Sequence, residues 1–139
     1  MEFAFVAPVV LVFLLGLVDA GIAVDRRIVL DHAVREGARY ASVGGDYLTT
    51  GTPASVQQVK DYTAAQSQGI ASATAPAGTN GSIAVCRVGT SGIKVSIAYT
   101  HSFVTGFTSL FNTSVGNIVM NPAGNARIER SLSGTVPSC

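Results

Sequence analysis

Few residues in these 139 have both the type and the spacing that chemistry needs. His32 and His101 lie far apart and have no Cys, Asp or Glu companions at ligand spacing, so a metal site is not expected. No Gly-x-Ser-x-Gly elbow is present, and Gly89-Thr90-Ser91-Gly92 lacks the lysine and following helix of a phosphate loop. No catalytic residue, cofactor or metal is therefore assigned, and the chain reads as a non-enzyme. Cys86 and the final residue Cys139 form no Cys-x-x-Cys pair. An even count in a chain read as exported favours a disulfide between them, the alternative being two free thiols. Closing so long a loop, about 50 residues, stabilises by roughly 3–4 kcal/mol in the chain-entropy model. Asn80-Gly81-Ser82 and Asn112-Thr113-Ser114 match the glycosylation acceptor pattern at Asn80 and Asn112, triplets that Ser/Thr-rich chains also produce by chance.

Two acids stand where acids are costly. Glu2 precedes, and Asp19 interrupts, an apolar run from Phe3 to Val24. In hydrocarbon each needs a partner or a proton. In a bundle of such segments Glu2 can pair with the N-terminal amine of an adjacent copy. Asp19 is either a second docking acid or the mark of the membrane exit.

The element that must position these residues is a single helix from Met1 to Gly44. Residues 1–24 are its apolar half, about 33 Å long at ~1.5 Å per residue and close to the thickness of a bilayer core. Residues 25–43 continue it without a proline as a charged, amphipathic half, so the whole rod approaches ~60 Å. Pro8, Gly16 and Gly21 each weaken the apolar half. A kink or unwound stretch is expected there in an assembled bundle, against the alternative of a straight helix with Pro8 accommodated near its first turns. Leu30, Ala33, Gly37 and Ala41 form a narrow small-residue stripe for a sheet to press on. Asp31, Arg35, Glu36 and Arg39 lie on another side, where Asp31–Arg35 and Glu36–Arg39 can pair for a few tenths of a kcal/mol each. They are either a solvated surface or inter-subunit ion-pairing residues. Gly44-Gly45 ends the helix.

The apolar segment is too long for a cleaved secretory signal, and no basic residue precedes it. As a plain anchor it presents Arg26-Arg27 on its C-terminal side, which would hold the rest of the chain in the cytoplasm. That conflicts with a disulfide. The conflict disappears if a basic leader once preceded Met1 and was removed.

Glu2-Phe3-Ala4-Phe5-Val6-Ala7-Pro8, the apolar run, Val18-Asp19 and then Ala33-Val34-Arg35-Glu36-Gly37-Ala38-Arg39-Tyr40-Ala41 together resemble the TadE-like pseudopilins of the tight-adherence branch of type IV pilus systems. The match covers residues 2 to 43, and its "Ala-Arg-Glu-Gly-Ala-Arg" box is its specific part. The resemblance implies a type IV pilin-like fold, processing by a prepilin peptidase, and residence in the inner membrane before a pilus machine assembles the chain. It implies a homo-oligomeric helical filament at the cell surface, with Glu2 guiding subunit docking.

The remainder, 25–139, is expected to be a small pilin head. Thr52 as N-cap and Pro53 at the first helical position predict a short helix over 53–66. Residues 71–82 read as loop. Alternation predicts a hairpin of strands 82–88 and 93–100, with Ile93, Val95, Ile97 and Tyr99 facing the helix. Residues 103–111 read as an aromatic connection, and a third strand is expected over 126–132 with Ile128 and Leu132 inward. The fold class is thus α+β: a long N-terminal helix on a small antiparallel sheet with one short extra helix. Charged residues are 12% of the chain and the net charge is +1, so no nucleic-acid partner is expected. Three functions fit: a filament-forming pilin, a minor pseudopilin that primes or caps a pilus, and a monomeric membrane-anchored adhesin.

Overall fold

The computed structural model describes residues 3–45, 53–103, 117–130, 132 and 135–139, and gives side-chain surroundings from residue 6 onward. Helix α1 runs unbroken from Phe3 to Ser42, with Pro8 inside it. It stops because Gly44 and Gly45 turn left-handed, with φ of 77° and 68°. Gly45 N donates to Tyr40 O at 2.8 Å and Gly44 N to Ala41 O at 3.3 Å. This is the paired closure that satisfies carbonyls orphaned at a helix end. The Ser42 carbonyl is taken up from outside the helix, by Glu129 N and Arg130 N at 2.9 and 3.2 Å.

Helix α2 spans Val56–Gln66. Its N-cap is Ser55, whose Oγ accepts from Gln58 N while Gln58 Oε1 accepts from Ser55 N. That capping box corrects the expected start: Pro53 precedes the helix rather than opening it, because Ser55–Gln58 satisfies two first-turn donors reciprocally. Thr52 lies outside the described residues. α2 packs across α1 where Gly37 leaves room for Thr63: a Cβ on Gly37 would run into Thr63 Oγ1 and lie 3.2 Å from its Cβ.

Strands β1 (Ser82–Val88) and β2 (Gly92–Ser102) form the expected hairpin, in register from Ser82↔Ala98 to Val88↔Gly92. Two further strands, β3 (Asn117–Met120) and β4 (Ala123–Arg127), lie end to end along the other edge of β2. All pairs are antiparallel, in a four-stranded sheet. Pro122 between β3 and β4 has no N–H for the ladder, but its carbonyl accepts from Ile97 N at 3.1 Å.

The third strand was expected over 126–132; the strand in that region is Ala123–Arg127, and β3 precedes it. Ala-Gly-Asn-Ala-Arg has little intrinsic strand preference. It is a strand because Gly124 lets the sheet touch α1: a Cβ there would collide with the Val34 carbonyl and sit 2.7 Å from Val34 C. Ile128 and Leu132 still turn to the core, Leu132 being 7% exposed.

The core sits between α1 and the sheet. Leu30, Val34, Val59, Ile93, Val95 and Ile97 are fully buried. Of the expected sheet face, Tyr99 is half-buried at the lower end.

Candidate functional site

α1 is one helix in two surroundings. From Val6 to Val18 it is exposed on nearly every side; Val9 is 67%, Phe13 72% and Leu17 60% accessible. Burying one such side chain is worth ~1.5–3 kcal/mol, so water is not the medium for this segment. Among the described residues α1 is the one helix long and apolar enough to cross a membrane.

The change comes at Asp19, which is 1% exposed. From there a buried face runs through Ala23, Leu30, Val34, Ala38 and Ala41 at helical spacing, and from Leu30 onward it joins the core of the head. On the same face Arg26 donates from Nη1 to the Tyr99 hydroxyl at 3.2 Å, pinning helix to sheet. His101, two residues further along β2, is 2% exposed, with Nε2 lacking a hydrogen-bond partner among the described residues. The Phe103 ring meets its imidazole edge-on at 5.9 Å. The sequence places His101 at a strand end, and β3 pairs it with Ile118 there.

The predicted site residues fall out as follows. Glu2 and Asn112 lie outside the described residues. Pro8, Gly16 and Gly21 lie within continuous helix, and a Cβ on Gly16 or Gly21 would meet nothing within 4 Å. Glu36 accepts from Arg39 Nε at 3.2 Å, and Arg39's side chain is 77% exposed. The Asp31–Arg35 pair is corrected: no ion pair joins them. Asp31 instead lines a recess with Arg27, Ile118, Val119, Met120 and Pro122, while Arg35 is exposed. A surface pair worth under ~1 kcal/mol does not hold Asp31 away from that recess.

Asn80 spends its amide on the fold. Nδ2 donates to Thr100 O at 3.0 Å and Oδ1 accepts from Thr100 N at 2.7 Å, so the fold engages one of the two Nδ2 hydrogens. Cys86 and Cys139 are joined, with Cα atoms 5.1 Å apart. Arg87 N donates to Pro137 O and Cys139 N to Arg87 O, which lays the C-terminus along the outer edge of β1. No sequence signal pointed to the Tyr40–Tyr62 stack, with centroids 4.3 Å apart and rings 8° from parallel. It arises because α2 crosses α1 at Gly37 and so brings their ends together. Among the described residues no three His, Cys, Asp or Glu side chains gather as a metal site would require.

The candidate site is therefore an extended surface: an exposed apolar helix, a buried acid at Asp19, and charged faces beside the head. Comparison with curated proteins finds no match, and neither does comparison with solved structures. Residues 1–39, the helix that carries this arrangement, match the family model described as TadE-like protein.

Proposed function

We propose that the chain is a structural pilin subunit, which polymerises through α1 into an extracellular Tad-like filament for surface attachment. The observation that carries this reading is the abrupt change in α1, exposed and apolar on nearly all sides through Val18 and with one face buried from Asp19 onward. Such a segment is stable in two media, the hydrocarbon of a bilayer and a bundle of its own kind. The membrane holds the subunit first, and the bundle replaces the lipid on assembly. The disulfide and the C-terminal strap suit a small head outside the cytoplasm. In this reading a prepilin peptidase and a pilus machine act before polymerisation, and Glu2 docks each subunit on the next.

Electron microscopy of sheared surface material tests it. Abundant filaments of this one chain support a major pilin; trace incorporation into filaments of another chain points to the priming or capping role, and membrane-bound monomer alone refutes assembly. Glu2→Ala should abolish filaments while membrane insertion persists. Normal filaments from that variant would remove the docking role.

A further inference from the structure

Two charged faces flank the head, on different sides of α1. The lower is the recess where Arg27 and Asp31 stand beside the β3 rim, with Ile118 39% and Val119 66% exposed. Among the described residues neither Arg27 nor Asp31 makes an ion pair. The upper is a second recess, formed by Glu36, Arg39, Tyr40, Val43 and Tyr62, with Val43 44% exposed. Going up the helix, the lower face reads cation then anion and the upper reads anion then cation. Glu36 lies nine residues above Arg27 and Arg39 eight above Asp31. At ~1.5 Å per residue both offsets amount to roughly 12–14 Å, so a single shift satisfies both pairs. At ~100° per residue the two faces are about 130° apart around the helix.

We propose that the Arg27–Asp31 face of one copy docks on the Glu36–Arg39 face of a second, parallel copy displaced by about 12–14 Å along α1. This rests on the filament reading and specifies its lateral contact. Arg27 meets the neighbour's Glu36, and Asp31 meets its Arg39. The exposed Glu36–Arg39 pair of the free chain opens to accept this exchange, and Ile118, Val119 and Val43 supply apolar rim. The order of charges selects parallel over antiparallel copies. Because the faces differ, the contact is head-to-tail and propagates instead of closing into a two-fold dimer. The same shift brings the neighbour's Asp25 level with Gly16 of the first copy, where the missing side chain leaves open space.

The test is co-expression of two full-length variants, one Arg27→Cys and the other Glu36→Cys, followed by mild oxidation of membranes and sheared filaments and non-reducing gels. The mixed dimer should form on co-expression, and neither variant alone should cross-link. Asp31→Cys with Arg39→Cys should behave the same way. Homodimers from Arg27→Cys alone would mean a two-fold contact and overturn the proposal. Charge exchange is the second arm. Arg27→Glu and Glu36→Arg singly should lower filament yield roughly two- to fivefold at low salt, the range expected for an exposed ion pair. The double exchange should recover most of the loss, and all differences should shrink as salt screens the charges. Filaments without the mixed cross-link refute this contact alone. The mixed cross-link in membranes without filaments keeps the contact and refutes the filament reading. Neither product overturns both.

Discussion

Gly37 sits within the box that resembles the TadE-like family, and its replacement by alanine pits two known effects against each other. In a helix interior Gly→Ala ordinarily stabilises by ~1 kcal/mol. Here the new methyl would overlap Thr63 Oγ1 and crowd Thr63 Cγ2 at 3.3 Å. Thr63 is fully buried, and its hydroxyl donates to Val59 O at 2.7 Å. Moving it aside breaks that bond, for ~0.5–1.5 kcal/mol, and strains a packed core, for ~1–3 kcal/mol. Overpacking wins, and Gly37→Ala should destabilise by about 1–2 kcal/mol, lowering the melting temperature by several degrees. Adding Thr63→Ala removes the Oγ1 and Cγ2 clashes and leaves the residue 63 Cβ at 3.2 Å. In that background Gly37→Ala should cost clearly less than it does in the natural chain. Thermal melts of all four full-length proteins in detergent micelles, followed by circular dichroism, read the difference. A melting temperature raised by Gly37→Ala alone would refute the packing of α2 on α1 described above.

Gly124→Ala should destabilise more than Gly37→Ala on the same melts. Its methyl meets the Val34 backbone carbonyl, which cannot rotate away as a side chain can. Cys139→Ser opens the 53-residue separation between the joined cysteines and should cost about 3–4 kcal/mol in chemical denaturation, with the C-terminal strap exchanging amide hydrogens first. Asn80→Ala should cost about 1–3 kcal/mol in chemical denaturation by removing both bonds to Thr100.

What the sequence disclosed and what it hid follow from range. α1, the β1–β2 hairpin and the second helix announce themselves through local periodicity and turn residues. The disulfide followed from a count of two. The inward residues of β2 were legible because alternation is a property of neighbours in the chain. β4 was not legible, since Ala-Gly-Asn-Ala-Arg carries no strand signal. What makes it a strand is an approach to Val34, some 90 residues earlier, where only a hydrogen side chain fits. The true N-cap was missed for a different reason. Thr52-Pro53 and Ser55–Gln58 are both valid start signals, and only the second closes a reciprocal box. Asp31–Arg35 was missed because spacing predicts what two side chains can reach, whereas β3 decides what Asp31 lies beside.

The same distinction bears on where the helix changes medium. By composition the charged half starts at Asp25, yet burial already starts at Asp19 and Ala23. The residues between therefore face two ways. Asp19 and Ala23 turn inward, while Val24 and Ile28 remain 59% and 64% exposed on the opposite side. Along that outer side Val6, Val10, Phe13, Leu17, Val24 and Ile28 recur at helical spacing. The apolar stripe thus rises two turns past Asp19. In the proposed filament a neighbour's helix lying alongside would cover Val24 and Ile28, so replacing both by serine should lower filament yield and leave membrane insertion intact; unchanged yield would refute that coverage.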